Sequence, residues 1–237
     1  MANSYFQFKQ FTVHHDRCAM KVGTDGVLLG AWADVADKRT ALDVGCGSGL
    51  VSLMLAQRNR NLKIDAVEVD VSAADQAAEN ISASIFSTQI DVVKEDFIAF
   101  AFASNKKYDL IVSNPPFFSN SLKSPTKQRN AARHDDGLCP EDLLHLSAKL
   151  LTSEGVFVVI YPFDSLEKII EIGKNEGLFP LRICTVYPTP NSQPKRVLVE
   201  MSLKEKHCFE TNLIVEMERH VYSEEFKEMT REFYLDK

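Results

Sequence analysis

The sequence has 237 residues, of which 45% are hydrophobic and 25% are charged, a balance typical of a globular protein and not of a disordered chain. Its formal net charge of -6 gives no overall attraction to nucleic acid, so a polyanion would have to bind a local patch. No apolar stretch approaches the roughly 20 residues of a membrane span, and the N-terminus lacks the basic and apolar regions of a secretory signal. Five cysteines without a CxxC pair indicate reduced thiols, so we expect a cytoplasmic protein with no metal site.

A pattern of alternating strands and helices begins after residues 1–35, which we interpret as an N-terminal cap or substrate segment. Such alternation predicts a parallel sheet covered by helices on both faces. Apolar runs predict strands at 40–44, 63–67, 89–93, 108–112 and 156–160, and helical spacing predicts helices at 50–58, 72–84, 141–151 and 169–176.

The last part of the chain departs from this pattern. Two extended runs, 181–187 and 195–204, have no helix between them and predict an antiparallel pair at one edge of the sheet. Residues 205–237 form a charged C-terminal extension with one helix at 223–235. We expect residues 1–237 to form a single domain.

A glycine-rich loop follows the first strand of the pattern, with Gly45, Gly47 and Gly49 directly before a helix. Glycines allow a tight turn and a close approach to a ligand, and the helix N-terminus offers free N–H groups. The third glycine of a dinucleotide fingerprint is absent, since Leu50 stands there. Asp43 would also repel a pyrophosphate but attract a cationic amine. A tight turn without a ligand remains the alternative, and otherwise the loop predicts a nucleoside-like ligand carrying a positive group.

Three acidic residues follow the next two strands. Glu68 ends the second strand, where a carboxylate can accept hydrogen bonds from both ribose hydroxyls. Asp70 is either a second ligand or a solvated turn residue. Asp96 follows the third strand, where it can reach an adenine amino group beside Phe97 or can cap a helix.

The segment SNPPFFSN follows the strand at 108–112 and predicts a rigid elbow. The carboxyl ends of parallel strands meet at one edge, so Asn114 faces the same crevice as the glycine loop. The Asn114 side-chain oxygen and the Pro115 carbonyl can hold both N–H bonds of an amino group conjugated to a ring. Pro116 keeps the acceptors rigid, and Phe117 offers a face for stacking. Fixed dipoles of this kind stabilise the positive charge that such a nitrogen gains as it attacks an electrophile.

The glycine loop DVGCGSG, the acids at Glu68 and Asp96, and the elbow NPPF together resemble the class I S-adenosylmethionine-dependent methyltransferases that modify amino groups. The resemblance implies a Rossmann-like α/β fold with a doubly wound, mostly parallel seven-stranded sheet and an antiparallel edge strand. It implies that Asp43 faces the amino-acid moiety of the cofactor, Glu68 its ribose and Asp96 its adenine.

The N-terminal residues 8–11 and 16–32 resemble the start of the bacterial valine-tRNA adenine N6-methyltransferases, which modify adenine 37 beside the anticodon. By that likeness Thr24, Asp25 and Gly26 help to close the methionine end of the cofactor site, and the partner is the anticodon loop of a tRNA. We expect a monomer.

A basic segment without acids follows the elbow and is expected to rim the active site, where phosphate contacts would position RNA. Its four basic residues are Lys123, Lys127, Arg129 and Arg133. Lys9, Arg17, Lys21, Lys195 and Arg196 are candidates to extend this patch, although any one of them alone reads as a surface charge. His134 lies in the same polar stretch and is assigned no role.

Two alternatives stay open, and a third is disfavoured. The same chemistry could act on an rRNA base or on a protein glutamine amide, because similar elbows serve those substrates in related families. A non-catalytic RNA-binding module is a second alternative, but it has no need of the elbow. A nicotinamide oxidoreductase is disfavoured by Leu50 and Asp43.

Overall fold

The structure is a computed structural model that describes residues 3–116 and 138–235. Its centre is an eight-stranded sheet with the strand order β10-β8-β9-β7-β6-β3-β4-β5. These strands are β3 (Thr40–Val44), β4 (Lys63–Glu68), β5 (Ile90–Lys94), β6 (Tyr108–Ser113), β7 (Leu151–Pro162), β8 (Phe179–Tyr187), β9 (Arg196–Ser202) and β10 (Phe209–Ile214). Two small antiparallel hairpins lie outside it, β1 (Tyr5–Gln7) with β2 (Thr12–His14), and β11 (Glu216–Glu218) with β12 (Val221–Tyr222).

Helices cover both faces of the sheet. They are α1 (Thr24–Trp32), α2 (Leu50–Arg58), α3 (Val71–Ser82), α4 (Phe97–Ala103), α5 (Pro140–Leu150), α6 (Leu166–Asn175) and α7 (Glu224–Thr230), with a 3-10 turn at Phe163–Ser165. The first three helices and α7 pack on one face, and α4, α5 and α6 pack on the other. The central strand β6 has apolar side chains for both layers of helices, because Leu110 and Val112 enter one core and Ile111 enters the other. A strand that is buried on both faces is a continuous apolar run.

The predicted fold class is confirmed, but the sheet has eight strands where seven were predicted. The antiparallel pair is present as β8 and β9, and β9 runs antiparallel to both of its neighbours. The additional strand β10 pairs in parallel with β8 and forms the edge. Its sequence FETNLI is interrupted by three polar residues and is mostly exposed, so it lacks the apolar run from which the other strands were predicted.

Several helix boundaries also differ from the prediction, and α6 begins at Leu166, three residues before the predicted start. The helix α3 begins at Val71, one residue before the predicted start, and its cap is Asp70, whose side chain accepts a hydrogen bond from the backbone N–H of Ala73. The C-terminal helix is shorter than predicted and ends at Thr230. Within the N-terminal segment, α1 was not predicted because its two glycines weaken its helix signal.

The register of the central strands places the candidate site. Val44 of β3 lies between Val67 of β4 and Ser113 of β6, as a direct partner of each. Neighbouring strands are about 4.8 Å apart, so the residues that follow these three positions start close together at the carboxyl ends of the strands. The glycine loop, Glu68 and Asn114 therefore leave the sheet side by side.

None of the helices in the described ranges combines the length and the apolar character that a membrane span requires. Within the same ranges, no group of three or more His, Cys, Asp or Glu side chains is arranged to hold a metal ion.

Candidate active site

The glycine loop has the backbone conformation that its sequence requires. Gly45, Gly47 and Gly49 have φ angles of 73°, 54° and 79°, in the left-handed region that side chains disfavour. A Cβ atom at Gly45 or Gly47 would meet none of the described atoms within 4 Å. At Gly49 a Cβ would lie 3.3 Å from the Cδ1 atom of Ile81 in α3. The first two glycines therefore border open space, and the third allows the loop to pack on α3.

The carboxylate of Glu68 accepts backbone hydrogen bonds from two segments, the glycine loop and the turn that follows β4. Its Oε2 atom accepts a hydrogen bond of 2.8 Å from the N–H of Gly47, and its Oε1 atom accepts one of 2.9 Å from the N–H of Asp70. The carbonyl of Val67, one residue earlier, accepts bonds from the N–H groups of Gly45 and Cys46. The loop and the end of β4 thus form one bonded unit.

Asp43 lies beneath the loop with 1% of its surface exposed. Its Oδ2 atom accepts hydrogen bonds from the backbone N–H and the hydroxyl of Ser52, at 3.1 Å and 2.6 Å. Burial raises the pKa of this carboxyl to about 6; the bonds from Ser52 oppose the rise, and the charge of Glu68 adds to it. A nearby positive charge would offset the cost of ionising the buried group.

Asp96 and Asp70 are both helix caps. Asp96 accepts hydrogen bonds at Oδ1 from the N–H groups of Ile98 and Ala99 at the start of α4. Phe97 does not line the cleft, because it is 5% exposed and packs in the core beneath α4. Val69, which follows Glu68 directly, has 66% of its surface exposed and is an apolar side chain that the sequence reasoning missed.

The elbow begins at Ser113, whose hydroxyl donates a 2.8 Å bond to the carbonyl of Val44. The Oδ1 atom of Asn114 is buried and has no hydrogen-bond partner among the described residues. Pro115 is buried and Pro116 is exposed. Because a buried acceptor without a partner costs about 1–3 kcal/mol, such a group in a native protein calls for an explanation such as a ligand.

Helix α1 brings its first residues against the elbow. A Cβ atom at Gly26 would lie 3.0 Å from Cδ2 of Leu50 and 3.9 Å from Nδ2 of Asn114. Asp25 accepts a 2.8 Å hydrogen bond from Nε of Arg196 in β9, and Thr24 is exposed. The structure thus assembles Gly26, the start of α2 and Asn114, and it joins Arg196 to this helix.

Several predicted RNA-binding residues have other contacts or fall outside the described ranges. The Nζ atom of Lys9 donates a 3.0 Å bond to the carbonyl of Arg231, in the C-terminal segment. Arg17 forms an ion pair with Glu79 of α3. Phe117, Lys123, Lys127, Arg129, Arg133 and His134 lie outside the described residues.

Two buried amides of α3, Gln76 and Asn80, hold the N-terminal segment and were not predicted. Their spacing of four residues places them on one face of a helix and is the only signal they offer.

Comparison with known proteins agrees with this fold. The model of the methyltransferase small domain family matches residues 20–171. Among solved structures, a predicted O-methyltransferase from Agrobacterium tumefaciens has a TM-score of 0.69 at 21% identity, covering 88% of this chain and 96% of its own. A TehB-like SAM-dependent methyltransferase from Corynebacterium glutamicum has a TM-score of 0.51 at 18% identity, covering 77% and 89%. At these identities the two structures show the fold alone. Fold, family model and site together define a class I methyltransferase.

Full-length relatives narrow the family. Proteins named tRNA1(Val) (adenine(37)-N6)-methyltransferase are 49% identical in Bacteroides fragilis, over 99% of both chains, and 50% identical in Phocaeicola vulgatus, over 100% of both. A protein of the same name in Trichodesmium erythraeum is 45% identical over 99% of both chains. The chain belongs to the tRNA1(Val) (adenine(37)-N6)-methyltransferase family, and the resemblance of its motifs is confirmed.

Proposed function

We propose that this protein transfers the methyl group of S-adenosylmethionine to N6 of adenine 37 in valine tRNA. The observation that carries the chemistry is the buried Oδ1 atom of Asn114, which has no hydrogen-bond partner among the described residues. Asn114 follows the end of β6, beside the glycine loop that follows β3. The names of the full-length relatives support valine tRNA as the substrate and adenine 37 as the modified position.

The residues of the cleft fit the cofactor in shape and charge. Open space beside Gly45 and Gly47 admits a ligand close to the backbone, and Gly49 supports the loop against α3. Asp43 carries the negative charge that suits the amino-acid end of the ligand. Glu68 keeps its carboxylate in place with backbone bonds and would accept the ribose hydroxyls.

The adenine of the cofactor would lie between Val69 and the cap residue Asp96, because Val69 is the exposed apolar side chain next to Glu68. At the other end, Thr24, Asp25 and Gly26 would close the cleft over the methionine moiety.

Asn114 and Pro115 would bind the exocyclic amine of the target adenine. That amine is a weak nucleophile because its lone pair is delocalised into the ring. Two acceptors that hold its N–H bonds favour a pyramidal nitrogen, and they stabilise the positive charge that develops as the N6–carbon bond forms. The bound cofactor supplies an electrophilic methyl group on a sulfonium, and the proton leaves N6 after transfer. Pro116 would stiffen the elbow, and Phe117 would stack on the base.

The basic segment would supply the attraction for RNA that the net charge of -6 does not. Lys123, Lys127, Arg129 and Arg133 lie in the segment 121–133 that follows the elbow and would bind phosphates around the target base, and Lys9 would add a further contact. An anticodon loop is single-stranded, so turning out its adenine costs only a few kcal/mol. We propose that the protein acts in the cytoplasm as a monomer and forms one domain over residues 1–237.

A substrate panel tests the proposal. The protein would be incubated with labelled S-adenosylmethionine and one of four substrates: valine tRNA transcript, the same transcript with guanine at position 37, rRNA, or a glutamine-containing peptide. We expect label in the first transcript alone. Equal label in the guanine-37 transcript would exclude adenine 37 as the target, and label in the peptide or in rRNA would select the corresponding alternative.

A further inference from the structure

The N-terminal segment and the glycine loop meet on helix α3. This helix presents two amide side chains one turn apart, Gln76 and Asn80, and each has 2% of its surface exposed. Buried polar groups require hydrogen-bond partners. Both amides find theirs outside the helix, which makes them the points at which distant segments are joined.

Asn80 bonds to two separate segments. Its Oδ1 atom accepts a 2.9 Å bond from the N–H of His14, and its Nδ2 atom donates a 2.8 Å bond to the carbonyl of the same residue. Nδ2 also donates a 2.9 Å bond to the carbonyl of Ser48 in the glycine loop. One side chain therefore connects β2 to the loop.

The bond to Ser48 acts on a peptide unit that is held at both ends. The N–H of Gly49, at the other end of this unit, donates a 2.9 Å bond to the carbonyl of Cys46 and closes a four-residue turn. The N–H of Gly47, inside that turn, is bonded to Glu68. Glu68 and Asn80 thus hold the same turn from different sides.

Gln76 makes equivalent bonds without reaching the loop. Its Oε1 atom accepts bonds from the N–H of Arg17 and the thiol of Cys18, at 3.0 Å and 3.3 Å. Its Nε2 atom donates a 2.8 Å bond to Asp16. Burial, with the charges of Glu68 and Asp70 adding to it, raises the pKa of Cys18 to about 11, so the thiol keeps its proton near pH 7.

We propose that Asn80 is a positioning residue of the cofactor site. Its amide fixes the Ser48 carbonyl, which keeps the backbone from Gly45 to Gly49 in the shape that receives the cofactor. The same amide couples that shape to the placement of β2. The identity of the ligand rests on the proposed function, whereas the restraint on the loop does not.

The test compares Asn80→Ala with Gln76→Ala, a control of equal burial on the same helix. Hydrogen exchange in the ligand-free protein would report on the amides of residues 45–49. Calorimetry well below the melting temperatures of both variants would give the Kd for S-adenosylhomocysteine. For Asn80→Ala we expect loop exchange and Kd to increase at least tenfold. We also expect KM for the cofactor to rise while kcat at saturation stays within threefold, a division that partial unfolding does not produce. Gln76→Ala should lose similar thermal stability but keep loop exchange and Kd within threefold.

Equal effects in the two variants would overturn the proposal, as would unchanged loop exchange in Asn80→Ala. If the alanine variant does not fold, Asn80→Asp serves instead, because it keeps the acceptor for the N–H of His14 and removes the donor to the carbonyls of Ser48 and His14. Wild-type loop exchange in folded Asn80→Asp would also overturn it. A wild-type protein that binds no S-adenosylhomocysteine would contradict the proposed function, while the exchange comparison would still decide the role of Asn80.

Discussion

The hydroxyl of Ser113 donates a 2.8 Å hydrogen bond to the carbonyl of Val44, its partner in the neighbouring strand. Asn114 follows Ser113, and the glycine loop follows Val44. This buried bond therefore holds the proposed amine-binding elbow at a fixed position relative to the proposed cofactor-binding loop. A fixed position is required because the two reacting atoms must approach within about 3–3.5 Å in line.

Replacement of Asn114 by alanine is expected to separate chemistry from cofactor binding. The variant loses the buried Oδ1 acceptor and should transfer methyl groups about 10² times more slowly, as when one oxyanion-type donor is removed. Its Kd for S-adenosylhomocysteine should stay within a few-fold of the wild-type value, because Glu68 and the loop are unchanged. Single-turnover assays and calorimetry measure the two quantities. Full activity would show that the elbow does not stabilise the reacting nitrogen.

Glu68→Gln should have the opposite effect. A hydrogen bond to a charged group contributes about 1.5–3 kcal/mol, so loss of the carboxylate should weaken cofactor binding by roughly 10- to 100-fold. Saturating cofactor should restore most of the turnover. The control is Asp91→Asn, which neutralises an exposed carboxylate in the adjacent strand β5. An unchanged Kd in Glu68→Gln would mean that the ribose lies elsewhere.

The pH dependence of cofactor binding should report the ionisation of Asp43. Its pKa in the folded protein is about 6, above the ordinary value of 3.8, so the free site holds a proton at pH 5 and releases it by pH 7. A cationic ligand favours the ionised form, and the Kd should therefore fall about tenfold between pH 5 and pH 7. Calorimetry across this range measures the change, and Asp43→Asn should lose most of it.

Ionisation of Asp43 is expected to strengthen cofactor binding but to destabilise the ligand-free fold. A raised pKa means that the folded state binds the proton more tightly than the unfolded state. The contribution of Asp43 to the free energy of unfolding is complete below pH 3.8 and is lost as the pH rises through about 6. Denaturant titrations of Asp43→Asn and the wild type should therefore diverge in favour of the variant from pH 5 to pH 7.

Two glycines of α1 should respond differently to alanine. A Cβ at Gly26 would press on Leu50 and approach the amide of Asn114, so Gly26→Ala should lower kcat about tenfold, since small displacements of the reacting groups are costly. A Cβ at Gly30 would lie 2.9 Å from Cβ of Met54, and Gly30→Ala should cost about 1–3 kcal/mol of stability instead. Thermal melts and kcat at saturation, measured on both variants, test whether Gly26→Ala impairs catalysis and Gly30→Ala impairs stability. A similar fall in kcat for both would remove the special role of Gly26.

Neutralising the basic segment should affect RNA binding alone. Lys127→Ala and Arg129→Ala should raise KM for tRNA, and each lost phosphate contact should reduce the slope of log affinity against log salt by about one. Lys227→Ala removes a charge paired with Glu224 on α7 and serves as the control. Unchanged salt dependence in the first two variants would place the RNA elsewhere.

The parts of the site that the sequence predicted are those in which local chemistry is decisive. Glycines with positive φ, an acid at a strand end and an Asn-Pro-Pro elbow each carry their reason within a few residues. The helix α2 begins and ends as predicted, at Leu50 and Arg58, because its apolar spacing lies next to the glycine loop.

Features that depend on distant contacts were not predicted. Phe97 packs into a core built from other helices, and Arg196 meets Asp25 from a strand far along the chain. The bonds of Asn80 to His14 and Ser48 exist only because β2, α3 and the loop converge. Strand β10 is stabilised by pairing with β8 and not by an apolar sequence of its own.

Nucleoside analysis of valine tRNA after reaction tests the proposed activity without further assumptions. Unmodified valine tRNA and control tRNAs would be incubated with the protein and radiolabelled S-adenosylmethionine, and each RNA would be digested to nucleosides. We expect label in N6-methyladenosine, from valine tRNA and not from the controls. Label in any other nucleoside, or no label from a protein that binds the cofactor, would contradict it.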